Sequence, residues 1–250
     1  MIRSTFLQFS AAGLAALALA APLAAQPRAA AQRPIAEAYR AAADSLIRAA
    51  LADSTAWQRL AYLTDTFGPR LSGSASLEAT HDWLLAEMRK DGLQNVRGEP
   101  VLVPHWERGA ESAELLAPRR ARLHLLGLGG SVGTPPQGIE AEVLVVQSFD
   151  ELTARAAEAR GRIVVYDVPF TTYGQTVQYR SRGAIEAARV GALASLIRSV
   201  ASFSMQTPHT GATRYDTAVA KIPAAALSVE DAMLLHRLQQ RGQRPRLRLV

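Results

Sequence analysis

Five histidines, His81, His105, His124, His209 and His236, are the residues that could ligate a metal or carry a proton near neutral pH. None stands in a His-Glu-x-x-His spacing, so no segment sets two imidazoles on one helix face. His105-Trp106-Glu107 matches the opening of a zinc deaminase motif, but the cysteines that motif requires are absent. His81 lies beside an apolar helical face and His236 between Leu235 and Arg237, positions that read as packing or surface histidines. Gly129-Gly130-Ser131-Val132-Gly133 has the Gly-x-Ser-x-Gly form of a serine nucleophile elbow, which needs a helix directly after the serine. Thr134-Pro135-Pro136 follows instead, and prolines there oppose a helix, so the segment reads as a glycine turn. Pro208-His209-Thr210-Gly211 is a turn that sets imidazole and hydroxyl side by side; His209 and Thr210 are the candidate substrate-cleft residues. Asp44, Asp53, Asp65, Asp82 and Asp91 recur along helical stretches, where carboxylates in first turns and on solvated faces are the default, and they form no acid/base pair. No Gly-x-Gly-x-x-Gly and no Walker sequence occurs, so nucleotide binding has no support.

Composition narrows the class without naming a function. The 250 residues are 48% hydrophobic and 20% charged, as in a folded domain. The formal net charge is +6, and the basic residues are scattered rather than blocked or interleaved with aromatics, which argues against nucleic-acid binding. Cysteine is absent, which excludes thiol chemistry and disulfides. The chain opens Met1-Ile2-Arg3, runs apolar from Phe6 to Ala21, and then reads Pro22-Leu23-Ala24-Ala25-Gln26. That order predicts a signal peptide over 1–25, cleaved after Ala25, and a secreted or periplasmic product with no membrane attachment after cleavage. Residues 26–34, rich in Ala, Gln, Arg and Pro, read as a flexible spacer.

The elements that must position these residues follow from periodicity. Ile35, Tyr39, Leu46, Ile47 and Leu51 mark a first helix, a second follows Asp53-Ser54, and a third runs from near Ser74 to Asp91-Gly92. Asn95 to Trp106 reads as strand-like, with Val96, Val101 and Val103 interrupted by Gly98, Pro100 and Pro104. Five short apolar runs predict strands at 123–128, 143–146, 163–168, 193–200 and 222–227. Helical patterns lie at 150–160, 176–190 and 229–240, the last capped by Ser228 with Asp231 three residues on. Arg246-Leu247-Arg248-Leu249 alternates as a strand whose ladder and apolar face call either for later sequence or for pairing with an earlier strand that closes the domain. The fold class expected is mixed α/β: a helical start, then a strand-rich domain with packed helices.

The segment Phe67-Gly68-Pro69-Arg70-Leu71-Ser72-Gly73-Ser74, with Leu77-Glu78, Trp83, Met88 and Gly92-Leu93, closely resembles the N-terminal signature of carboxypeptidase Q-like zinc metallopeptidases. Leu126 to Thr134, Gly161 to Tyr166, Tyr179-Arg180, Gly183-Ala184 and Leu196 to Val200 resemble the protease-associated domain inserted in that family. The resemblance runs from about Pro34 to Val250. It implies a secreted exopeptidase, an aminopeptidase or dipeptidase, in which two zinc ions activate a water and a carboxylate handles its proton, acting on short peptides, with a homodimer left open. It also implies that residues 35–110 open the peptidase domain, 111–243 form the protease-associated domain, and 244–250 begin the return to the peptidase domain.

The family's metal ligands follow the insert, beginning at a His-x-Asp motif, and this sequence has no counterpart. No catalytic or metal-binding residue is therefore carried over, and the chain is expected to be an inactive N-terminal half when alone. The alternative is a non-catalytic protease-associated module that binds a partner.

Overall fold

A computed structural model describes residues 34–250, so the expected signal peptide and nearly all of the spacer lie outside the described residues. The chain divides into two units, Met1–Leu60 and Ala61–Val250, taken separately below.

In the first unit, α1 (Ile35–Ala52) forms where the sequence predicts it, yet it buries none of its residues. Asp53 caps the next helix, accepting the Thr55 N–H at 3.0 Å and the Thr55 hydroxyl at 2.6 Å. Those bonds stabilise the carboxylate and hold Asp53 below its ordinary pKa.

The second helix, α2 (Thr55–Phe67), begins in the first unit and ends in the second. Within the second unit Tyr62 stacks on Trp83 at 5.2 Å, with Phe67 5.9 Å from the same indole. That aromatic cluster joins the end of α2 to α3 (Ala75–Lys90), whose N-cap Ser74 accepts the Leu77 N–H. Gly92, at φ +78°, closes α3 in a left-handed turn. The strand-like reading of Asn95 to Trp106 fails here, since residues 93–112 enter no strand. Pro100 and Pro104 each remove a ladder donor.

An eight-stranded sheet follows in the order β2-β1-β8-β4-β5-β6-β7-β3. Its members are β1 (Ala113–Ala117), β2 (Ala121–Leu123), β3 (Leu125–Gly127), β4 (Ile139–Val146), β5 (Ile163–Tyr166), β6 (Ala194–Arg198), β7 (Ala224–Leu227) and β8 (Arg246–Leu249). Only His124 separates β2 from β3, yet they occupy opposite ends of that order, so the sheet must curl until its edges meet. What reads as one strand at 123–128 is thus two strands joined by a corner. Both peptide groups of His124 are held at the start of α7 (Val229–Gln240): its N–H donates to Asp231 at 2.6 Å, and its carbonyl accepts the Ser228 N–H at 3.0 Å.

The β4–β7 strands are parallel and buried on both faces, which explains their unbroken apolar runs. Alternate residues feed two cores. Val143, Val145, Ile163, Val165, Leu196 and Leu227 meet Ala232, Leu235 and Leu238 of α7. Leu144, Val146, Val164, Tyr166 and Ile197 meet Leu152 of α4 (Phe149–Ala154), Ala159 of α5 (Ala156–Ala159) and Ala184 and Ala187 of α6 (Tyr173–Arg189). Beneath Tyr166 only Gly183 fits, because a Cβ there would sit 2.9 Å from the ring. Burial pushes the Tyr166 phenol well above its usual range, and its hydroxyl donates to the Gly183 carbonyl.

Of the two readings of Arg246–Leu249, the structure follows pairing with earlier strands. It lies between β1 and β4 and pairs antiparallel with both. Leu247 and Leu249 point into the core, while Arg246 and Arg248 face outward beside Glu140 and Glu114. Beyond β8 the open edge of β4 is finished by a side chain. Gln239 accepts the Val145 N–H at 2.8 Å and donates to its carbonyl at 2.9 Å, imitating a strand.

Candidate functional site

In open parallel sheets the loops leaving the carboxyl ends of the strands gather functional side chains. Here the residues after β5 and at the end of β6 bring Asp167 and Arg198 together, and α7 adds His236. Asp167 is 3% exposed. One of its oxygens accepts from Arg198 Nη1 at 3.2 Å, and the other lies 2.6 Å from His236 Nδ1. The far nitrogen of that imidazole is 3.3 Å from the Gln240 amide, one helical turn on. A carboxylate-oriented histidine has the form of a general base, but both ring nitrogens are engaged, one by Asp167 and the other by the Gln240 amide. The trio ties the sheet edge to α7. The reading of His236 as a packing or surface residue did not include this contact with Asp167, and no local pattern announces it.

The next loop carries the two cleft candidates. Its start is pinned by Ser199, whose hydroxyl donates to the Leu227 carbonyl at 2.6 Å and accepts the His209 N–H at 2.7 Å. The His209 side chain is exposed and has no hydrogen-bond partner among the described residues. Thr210 turns inward: its hydroxyl donates to the Gly127 carbonyl at 2.9 Å, and its carbonyl accepts from Arg180 Nη1 at 3.3 Å. Imidazole and hydroxyl are therefore not displayed together; the imidazole faces solvent and the hydroxyl is engaged within the fold. Arg180, 8% exposed, also donates to the Tyr173 hydroxyl at 2.6 Å and lies flat over Gly211. A Cβ at Gly211 would come within 2.5 Å of the guanidinium carbon, so only glycine admits this arrangement.

A cavity of about 310 Å³ opens against β3, β6 and the end of β8. Leu125, Leu196, Leu249 and Val250 give it apolar walls, and Trp106, Arg108 and Glu111 form its rim. Arg108 and Glu111 pair at 3.1 Å, and together they satisfy Gly127, Glu111 accepting its N–H and Arg108 donating to its carbonyl. Ser131, on the same wall, accepts the Ala224 N–H through its hydroxyl and donates to the Val132 carbonyl. It serves the turn rather than acting as a nucleophile.

Four histidines stand beside single carboxylates: His81 with Glu78, His105 with Glu107, His124 with Asp231, and His236 with Asp167. Among the described residues no group of three or more ligating side chains converges. A catalytic zinc needs three protein ligands and an open position, so these residues do not fit one zinc ion, still less a pair.

The chain is 58% identical to carboxypeptidase Q of Homo sapiens over 191 residues, which is 76% of this chain and 40% of the human protein. Carboxypeptidase Q of Xenopus laevis is 52% identical over 207 residues, covering 82% of this chain and 44% of that protein. Over the matched residues, this chain belongs to the carboxypeptidase Q-like family. It spans about two-fifths of the length of these carboxypeptidase Q relatives. Among solved structures, the peptidase M28 precursor from Shewanella amazonensis superposes with a TM-score of 0.81 and 34% identity, covering 85% of this chain and 50% of that one. A zinc aminopeptidase from Bacillus subtilis shares the fold at a TM-score of 0.50 and 21% identity, over 78% of this chain and 42% of its own. No family model matches the chain.

Proposed function

We propose that this chain is the amino-terminal portion of an exported zinc-dependent exopeptidase of carboxypeptidase Q type, acting on short peptides. The observation that carries the reading is the 58% identity to carboxypeptidase Q over 191 residues. Export, with cleavage after Ala25 and release to the periplasm or outside the cell, rests on the order of charges and apolar residues at the start of the sequence. Among the described residues no helix is long and apolar enough to cross a membrane.

In this reading residues 35–110 open the peptidase domain, 111–243 form the protease-associated domain, and 244–250 lead back. The two zinc ions would lower the pKa of a bound water and polarise the scissile carbonyl. Their ligands are not supplied by the described residues. The chain's own contribution is a rigid platform, with the exposed His209 imidazole, backed by the inward-turned Thr210, at the border of the peptide cleft. By itself the chain does not hydrolyse peptides. The mature protein incubated with zinc and dipeptides is expected to show no turnover; a chelator-sensitive activity would overturn that statement.

A second reading, a non-catalytic binding module, is favoured by the way β8 closes the sheet within the chain. Its expected result is a monodisperse, cooperatively unfolding protein. A chain that stays soluble only as aggregates would count against it.

A further inference from the structure

Among the described residues only one cationic side chain is buried, and it has no acidic partner. Arg180 is 8% exposed and forms no ion pair there. The two buried carboxylates each meet a basic side chain, Asp167 beside Arg198 and His236, and Asp231 beside His124. A guanidinium carries five N–H donors. Arg180 spends two of them on neutral acceptors, the Thr210 carbonyl and the Tyr173 hydroxyl. Its Nε is sealed from solvent and has no partner, and the buried hydroxyl of Thr213, two residues beyond Gly211, has none either. A charge taken out of water against neutral groups alone is unfavourable, and simple packing would be served at lower cost by an uncharged side chain of the same length. The charge itself therefore calls for a use.

Its place in the fold suits a ligand. Tyr173 opens α6 after β5, and Thr210 lies in the loop that follows β6, so both stand at the carboxyl ends of parallel strands, where α/β sheets gather their ligands. The exposed His209 imidazole precedes Thr210 in that loop. Tyr173 forms the open side of the cluster: it is 51% exposed, and its ring centre lies 5.4 Å from the guanidinium carbon. As the first residue of α6 it can turn outward without disturbing the helix. The chemistry of the ligand follows from the donors. A planar fork carrying unit charge matches a carboxylate, which accepts two parallel N–H bonds in its own plane.

We infer that Arg180 anchors a carboxylate-binding site, and that the group it takes is the free terminal carboxylate of a short peptide, replacing the Tyr173 hydroxyl at Nη2. The choice of a peptide rests on the exopeptidase reading; the choice of a carboxylate rests on the guanidinium alone. Arg180 is then a specificity-determining residue with no part in bond cleavage.

The test follows the Arg180 Nε–H signal by NMR in the full 250-residue chain, assigned by its loss in Arg180→Lys. Acetate and alanyl-alanine are each expected to shift it saturably, while alanyl-alanine amide and sodium chloride at equal ionic strength leave it in place. Calorimetric titration reads the variants. Arg180→Lys keeps the charge but loses the fork and should weaken alanyl-alanine binding about tenfold, and Arg180→Met should abolish it. Tyr173→Phe removes the competing acceptor and leaves both ring and guanidinium, so it should tighten binding about twofold or more. That variant decides the matter if circular dichroism shows either Arg180 substitution to be unfolded. A response without saturation, an equal response to chloride or to the amide, or a Tyr173→Phe chain that binds no tighter would overturn the site. Acetate binding without alanyl-alanine binding would assign the carboxylate to a side chain of another polypeptide and overturn the peptide. Neither zinc nor turnover enters these readouts: loss of the exopeptidase reading leaves the acetate response standing, whereas loss of the site removes it.

Discussion

Two helices of this chain carry apolar stripes and meet opposite fates. On α7, Val229, Ala232, Leu235 and Leu238 are all buried, Leu235 completely. On α1, Ile35, Tyr39, Leu46, Ile47 and Leu51 are between 55% and 83% exposed. The same contrast separates the extended stretch around Leu102 from β8, whose Leu247 is fully buried between two paired neighbours. Periodicity reports that a face is apolar; it does not report what will cover it. Residues 113–249 supply their own cover, because the sheet curls shut and packs its two faces against α4–α7. The α1 stripe and the stretch around Leu102 leave theirs open.

That contrast can be broken by substitution. The largest effect is expected for Asp167→Ala, which takes the carboxylate from the Arg198 guanidinium and from His236 Nδ1 in a largely buried place, at a cost of about 3–5 kcal/mol in urea unfolding. Leu247→Ala should cost about 3 kcal/mol through the cavity it leaves in the closed core, whereas Leu51→Ala on α1 should stay within about 0.5 kcal/mol. Equal costs for the two leucines would abolish the distinction between the covered and the open region. Gly211→Ala forces a methyl group against Arg180 and should cost about 2 kcal/mol, with proteolysis of the 201–214 loop reporting the loosening.

The smallest expected effect sharpens the picture at the same loop. Glu230 accepts from the Ser204 hydroxyl and from backbone amides, and those bonds hold its carboxyl below the ordinary glutamate value. A folded-state pKa below the unfolded one means that this anchor contributes in full above about pH 4.3 and is lost as the pH falls through the lower folded value. Hydrogen exchange of the 201–207 amides should accelerate in that acid window in the wild type. In Glu230→Gln the acceleration should be absent. An identical acid response in both proteins would assign the change to another group.

Much of the architecture was readable before any coordinates. The six helical stretches and four of the five apolar runs stand close to where periodicity put them, because each is fixed by local hydrophobic spacing and by nearby caps such as Ser74 and Ser228. The corner at His124 was not readable. It exists because Asp231, placed to complete a capping box at Ser228, instead turns its carboxylate to a peptide group more than a hundred positions away. The Asp167–Arg198–His236 trio was equally hidden, its members lying 31 and 69 positions from Asp167, with a loop or strand between each. Thr210 lies in a loop rather than on a turn, and its hydroxyl direction depends on the distant Gly127 carbonyl.

By itself, the sequence determined the α/β class, the family to which the chain belongs, and the lack of a paired-histidine zinc motif, since these rest on residue identity and short spacing. Only the tertiary structure decided that the sheet closes on itself, that β8 is interior, and that residues 98–105 stand bare. Those outcomes depend on which distant backbone groups find one another, and unlike periodicity, that pairing leaves no local trace.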